Sequence, residues 1–152
     1  VRWRRYHRAV AKPTLSNTAK STVLVFDGDC AFCTTVVDAA MDALARTPDR
    51  VVPSQWLSDA ELADLGLTRD DVTDAAWIVT GRRRFRGHRT ASALLRMQPA
   101  LGARVLGAVL ALPPFDGIGA LAYRWISANR HRLPGGTPAC ALPPGARGDT
   151  QA

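Results

Sequence analysis

The stretch that decides the fold lies at residues 23–33 and runs VLVFDGDCAFC. Its first four residues are apolar, which predicts a short buried strand, and the Asp-Gly-Asp of residues 27–29 ends that strand with residues typical of turns. Residues 33–46 then carry apolar side chains at helical spacing, so Cys30 and Cys33 fall where a strand passes into a helix. The unpaired N–H groups at a helix N-terminus favour the thiolate of Cys30. Cys33, one turn further, is positioned to attack a mixed disulfide formed at Cys30.

The segment 26–33, FDGDCAFC, resembles the start of the DCC family of thiol-disulfide oxidoreductase-like proteins. A second similar segment has Tyr-Arg-Trp-Ile at 123–126 and Asn-Arg-His-Arg-Leu at 129–133. The resemblance covers residues 22–142 and implies a thioredoxin-like core with thiol–disulfide chemistry. Ala31 departs from the family pattern, which often has proline there, and this difference is expected to alter the redox potential without removing the chemistry.

Strand and helix patterns alternate along the rest of the chain in the order β-α-β-α-β-β-α, the order of an α/β thioredoxin-like core over residues 22–98. A helical hairpin over 99–133 is appended to this core in the same domain, broken at Pro113-Pro114. We expect its apolar faces to pack inside, in preference to the alternative that they dock on a membrane surface. Residues 1–21 are predicted to be a disordered basic arm, and residues 134–152 a flexible tail. The remaining predicted strands span 51–56, 75–80 and 82–86, and the remaining core helices span 58–65 and 90–97.

Charge is distributed unevenly, although the whole chain carries a formal net charge of +7. Residues 1–20 and 81–152 are strongly basic, whereas residues 21–80 are acidic. The basic segments could bind nucleic acid or an anionic membrane surface, but a solvated basic face is the more common meaning of such a pattern. An alternative function follows from the same charge: a non-catalytic thioredoxin-like binding module that uses an arginine-rich face. That face would consist of Arg82, Arg83, Arg84, Arg86 and Arg89.

Three chemistries compete for the cysteine motif. In the favoured one, Cys30 is the nucleophile, Cys33 resolves the adduct, and Phe32 helps to shield Cys33. Asp27 and Asp29 support this site as turn and cap residues, or one of them accepts a proton from Cys33 if it is buried. A zinc site would need ligands beyond the single Cys-x-x-Cys, and we expect no metal and no cofactor. A haloacid-dehalogenase-like phosphatase, with Asp27 as nucleophile, would need a lysine that is absent downstream of the motif.

The expected partners are a disulfide-containing protein or small molecule and a reductant. Cys140 is a possible third thiol, although a packed or idle cysteine is the preferred interpretation. Thioredoxin-like enzymes usually have a cis-proline before the third strand, but residues 71–77, DVTDAAW, contain no proline, so the usual backbone platform for substrate is not predicted here. No transmembrane segment and no secretory signal are expected, and we predict a cytoplasmic protein.

Overall fold

The computed structural model describes residues 21–134 and residue 136. The predicted basic arm and flexible tail therefore lie, apart from residues 21, 134 and 136, outside the described residues. The strands are β1 (Thr22–Phe26), β2 (Arg50–Pro53), β3 (Trp77–Thr80) and β4 (Arg83–Arg86). The helices are α1 (Ala31–Ala43), α2 (Asp59–Asp64), α3 (Arg69–Asp74), α4 (His88–Arg96), α5 (Leu101–Leu110) and α6 (Pro113–Asn129), with a 3-10 turn at Ser54–Trp56.

The four strands form one mixed sheet in the order β2-β1-β3-β4. β1 and β2 are parallel and are connected through α1, whereas β3 is antiparallel to β1 and β4 is antiparallel to β3. This α/β arrangement, with the additional helices α5 and α6, is compatible with the predicted thioredoxin-like fold. β2 is an edge strand that ends at Pro53, as expected of a strand containing a residue without a backbone N–H.

Two apolar clusters cover the two faces of the sheet, because successive side chains of β1 point to opposite faces. We call these the α2–α3 face and the α1–α4 face. On the α2–α3 face, the buried side chains are Val23, Val25, Val52, Leu57, Leu62, Leu65, Leu67, Val72 and Val79. On the α1–α4 face, the buried side chains are Leu24, Met41, Ile78, Ala93 and Leu94.

Several elements differ from the sequence prediction, three of them at positions that matter for the site or the C-terminal helices. α1 begins at Ala31 rather than at Cys33, so Cys33 lies inside the helix. α3 was not predicted; the Thr68 side chain caps it by accepting from the N–H of Asp71, in a capping box. α6 begins at Pro113 rather than at Asp116 or Gly117, because prolines are tolerated in the first turn of a helix, where no intrahelical N–H partner is needed.

The two C-terminal helices pack differently from one another. α5 lies close against α4: the buried Ser92 Oγ donates to the Gly107 carbonyl at 2.6 Å, and a Cβ on Gly107 would stand 2.8 Å from the Ser92 carbonyl oxygen. α6 has no buried residue. The expectation that the apolar faces of the hairpin pack inside is therefore wrong for the outward sides of both helices.

The outward-facing apolar residues of this hairpin form what we call the α5–α6 face. It consists of Leu101, Val105, Leu106, Leu112, Phe115, Ile118, Leu121, Trp125 and Ile126, each at least 36% exposed. Within the described part of the chain, no single helix is long and apolar enough to cross a membrane. α5 and α6 reach the required length and composition only when taken together, and they are bent by 81° relative to one another.

Candidate active site

Cys30 and Cys33 lie at the start of α1, directly after the turn that follows β1. Cys30 is the N-cap residue, with an extended backbone, and its carbonyl accepts the first helical hydrogen bond from the N–H of Thr34 at 3.0 Å. Its side chain is fully buried, with 0% exposure. Cys33 is the third residue of the helix and is partly exposed. The strand-to-helix placement predicted for the motif is present, and the less buried of its two side chains is that of Cys33.

The two motif cysteines differ in oxidation state. Cys30 is in a disulfide, whereas Cys33 carries a thiol. The sequence has one further cysteine, Cys140, which lies outside the described part of the chain.

Arg130, the C-cap residue of α6, reaches the motif from a position 97 residues after Cys33. Its Nη1 lies 3.9 Å from the Sγ of Cys33 and 3.5 Å from the Oδ2 of Asp27. The side chains of Arg130 and Asp27 are only 19% and 9% exposed, so this interaction is shielded from solvent more than a surface ion pair is. A thiol, a guanidinium and a carboxylate thus meet at the carboxyl end of β1.

Asp27 is held in place from the side of β2. Its Oδ1 accepts from Gln55 Nε2 at 2.9 Å and from the N–H of Asp29 at 3.1 Å. The Gly28 N–H donates back to Gln55 Oε1 at 3.1 Å, and a Cβ at Gly28 would lie 2.6 Å from the Cβ of Pro53. Glycine at this position therefore allows the turn to approach β2 closely. Asp29 itself is exposed, so only Asp27 of the two carboxylates is buried.

An apolar cavity of about 320 Å³ lies beside the Cys33 thiol. Its walls come from β1, α1, α4 and α6 and include Phe32, Leu94 and Ile126. Asp27, Cys33 and Arg130 also line it. An apolar pocket with a few converging polar groups is the usual form of a small-molecule or side-chain binding site.

Tyr123 connects α6 to the backbone just before β3. Its hydroxyl oxygen accepts from the Ala76 N–H at 3.2 Å, and burial raises the pKa of Tyr123, with the negative charge of a Cys33 thiolate acting in the same direction. The phenol therefore stays protonated throughout the physiological range. All peptide bonds of the described residues are trans, including those of the segment before β3. The N–H of Ala76, in the segment where no substrate platform was predicted, has Tyr123 as its partner.

An ion-pair cluster fixes the start of α6 to the start of α4. The Asp116 carboxylate lies 2.8 Å from His88 Nε2, and it accepts from Arg89 through Nε at 2.8 Å and Nη2 at 2.6 Å. Hydrogen bonds from Arg89 and His88 hold the pKa of Asp116 well below its usual range, and Asp116 in turn raises the pKa of Arg89. α6 is thus tied to the core near its first turn, at Tyr123 and at Arg130.

The proposed arginine-rich face is largely occupied by contacts within the chain. Arg84 donates to the Gly66 carbonyl, Arg86 lies 3.6 Å from an oxygen of Asp74, and Arg89 pairs with Asp116. Three of the five arginines therefore serve intramolecular contacts, which argues against the alternative of a dedicated anion-binding module. Among residues 21–134 and 136, no group of three or more His, Cys, Asp or Glu side chains is placed to hold a metal ion.

Of the predicted site residues, the structure brings together Cys30, Cys33, Asp27 and Phe32, while Asp29 faces solvent. Cys140 lies outside the described residues, so its role stays a prediction. Sequence reasoning assigned no role to Arg130, Tyr123 or Gln55. Arg130 and Tyr123 fall in the second family-like segment, which was the available signal for them; nothing in the sequence marks Gln55.

A family model described as DCC1-like thiol-disulfide oxidoreductase matches residues 24–136, which is most of the chain and includes the motif cysteines and Arg130. No curated protein and no solved structure matches the chain.

Proposed function

This chain belongs to the DCC1-like thiol-disulfide oxidoreductase family, and from that membership we propose that it catalyses thiol–disulfide exchange through Cys30 and Cys33, as a protein-disulfide reductase. The observation that carries the proposal is the position of Cys33. Its thiol lies at the apolar cavity, within 3.9 Å of a guanidinium nitrogen of Arg130, in the same helical turn as the N-cap Cys30.

The proposed reaction has two exchange steps. First, the Cys30 thiolate attacks one sulfur of the substrate disulfide; that bond breaks, and the other substrate sulfur leaves as a thiolate that takes a proton. Second, the Cys33 thiolate attacks the Cys30 sulfur, the Cys30–Cys33 bond forms, and the second substrate sulfur leaves and is protonated. Two electrons and two protons pass from the dithiol to the substrate, and a dithiol reductant restores them.

The charged groups around Cys33 support its role in the second step. In that step Cys33 must act as a thiolate, and the positive charge of Arg130 favours the charged form over the thiol. Asp27 acts as a positioning residue, because its carboxylate holds Arg130 and is itself held by Gln55.

The lining of the cavity supports a substrate class. Its side chains are mainly apolar, so we propose that the scissile disulfide is carried next to an apolar or aromatic group that enters the cavity. The proposal includes the cytoplasm as the place of action, since few cysteines are typical of proteins from compartments that keep thiols reduced.

The test is an exchange assay with the reduced protein, insulin as the protein substrate, and a regenerating dithiol. We expect Cys30→Ser to lose turnover and Cys33→Ser to accumulate a mixed disulfide with substrate, because its resolving sulfur is missing. Thr35→Ser, on the exposed side of the same helical turn, is a matched control that should keep wild-type turnover. Wild-type turnover by Cys30→Ser would contradict the proposal.

Disulfide mapping by mass spectrometry complements this assay. Gentle oxidation, digestion and peptide analysis identify the second sulfur of the Cys30 disulfide. A Cys30–Cys33 bond that appears after substrate exposure is the product expected of the second step. A bond from either motif cysteine to Cys140 would give that residue a role as a relay thiol, against the packed or idle role preferred from the sequence.

A further inference from the structure

The outward side of α6 carries an apolar stripe that the thiol chemistry does not use. Ile118, Leu121 and Trp125 recur at helical spacing and are 64%, 66% and 60% exposed. Leu101 and Val105 of α5 are 71% and 53% exposed. Several large apolar side chains exposed on neighbouring helices mark an interaction surface, because covering them removes apolar area from water.

Exposed arginines lie on the same two helices as these apolar residues. Arg104 and Arg124 are exposed and follow the stripe residues along α5 and α6. Arg124 also lines a surface depression together with Arg86 and Arg89, which are paired with Asp74 and Asp116, so the charge beside the stripe is that of Arg104 and Arg124. The single acid of residues 101–134 is Asp116, whose carboxylate is engaged by His88 and Arg89. The two helices therefore each carry an exposed arginine among their exposed apolar residues, and neither carries an exposed carboxylate.

We propose that the α5–α6 face docks on the surface of an anionic lipid membrane. Apolar side chains beside arginines are the pattern of helices that lie in the membrane interface, where acyl chains receive the apolar face and anionic headgroups receive the cations. An exposed Trp such as Trp125 suits the headgroup level. A helix of 17 residues with an 81° bend before it fits a position along the surface better than a straight crossing.

A second copy of this chain fits the same face less well. In a contact between two copies of α6, neither helix supplies an exposed carboxylate that could pair with Arg124. An anionic lipid surface, by contrast, complements both properties of the face. Docking would also set the cavity beside the membrane, since Ile126 belongs to the α5–α6 face and lines the cavity at Cys33.

Vesicle co-sedimentation of the full chain tests the proposal, using phosphatidylcholine alone and phosphatidylcholine mixed with phosphatidylglycerol. We expect binding to the mixed vesicles and little to the neutral ones. Ile118→Ser with Leu121→Ser should lower the partition coefficient by roughly a hundredfold. Trp56→Ser is the matched control, because Trp56 is also an exposed large apolar residue, 43% exposed, but lies outside the face.

The charge contribution is tested with a second pair of matched variants. Arg104→Gln with Arg124→Gln should weaken binding to the mixed vesicles by roughly 30-fold, whereas Arg82→Gln with Arg83→Gln, which removes the same charge from the β3–β4 turn, should change it much less. Circular dichroism confirms that each variant is folded. Vesicle binding needs no exchange activity, so this test is independent of the proposed thiol chemistry.

Two results would overturn the proposal. One is the absence of binding to either vesicle type by the folded wild-type chain. The other combines two measurements on the Ile118→Ser, Leu121→Ser variant: light scattering shows that the wild-type chain is a dimer and the variant a monomer, and the variant still binds vesicles. The face would then serve contact with a second copy of the chain.

Discussion

The two faces of the sheet are built from the same strands but are filled differently. The α2–α3 face is closed by buried aliphatic side chains such as Leu62, which is 0% exposed. The α1–α4 face has a smaller buried cluster, and beside it lies the cavity of about 320 Å³ that reaches Cys33. The difference indicates that one face supplies most of the packing that stabilises the sheet, while the other leaves space for the reacting groups.

The largest expected effect is on the free energy of unfolding, which should fall by different amounts when a leucine is shortened on each of the two faces. Leu62→Ala should cost about 4 kcal/mol of unfolding free energy, because it leaves a new cavity in a closely packed cluster. Leu94→Ala removes the same atoms from the α1–α4 face, where a cavity already adjoins the side chain, and should cost about 2 to 3 kcal/mol. Urea denaturation measures both. An equal or larger loss for Leu94→Ala would contradict the comparison.

The next effect concerns the reacting groups on the α1–α4 face. Arg130→Gln removes the positive charge beside Cys33, so we expect the exchange rate at neutral pH to fall roughly tenfold. The rise of the rate with pH should also occur at a higher pH than in the wild type. The rate of disulfide exchange measured as a function of pH checks this. Arg132→Gln, an exposed neighbour, is the control and should keep the wild-type profile. An unchanged pH profile for Arg130→Gln would remove Arg130 from the mechanism.

A smaller effect concerns the volume of the cavity beside Cys33. Ala40→Leu places additional apolar atoms at the cavity wall and should slow exchange with an aromatic disulfide roughly fivefold, while exchange with oxidised glutathione changes little. Ala43→Leu, on the exposed side of the same helix, is the matched control. Equal slowing of both substrates would mean that the cavity does not select apolar groups.

The smallest effect is a pH dependence of stability that arises from Tyr123. Burial raises its pKa in the folded chain, so its contribution to stability is fully present below the ordinary phenol value of about 10 and is lost as the pH rises through the folded value. Tyr123→Phe cannot ionise, so its stability should fall less than that of the wild type over this range. Urea denaturation across this alkaline range measures both chains. Parallel curves would show that Tyr123 does not contribute.

The local sequence predicted the order of strands and helices along the chain apart from α3, an edge or bulge at β2, and the placement of Cys30 and Cys33 at the start of α1. These features depend on side-chain periodicity, on turn residues and on Pro53, all of which act over a few neighbouring positions. The family resemblance also followed from short segments around the cysteines and around Tyr123. α3, whose six residues include one buried apolar side chain, Val72, was missed although a capping box begins it.

The tertiary structure alone decided what surrounds the thiols. Arg130 meets Asp27 across 103 positions of sequence, and Gln55 meets it across 28, distances over which local patterns carry no information. The exposure of the α5–α6 face was likewise decided by packing: helical periodicity predicts that a face is apolar, but whether that face is covered depends on which other elements remain to cover it. Here α4 takes the inner side of both helices, and no described element covers the outer side of α6.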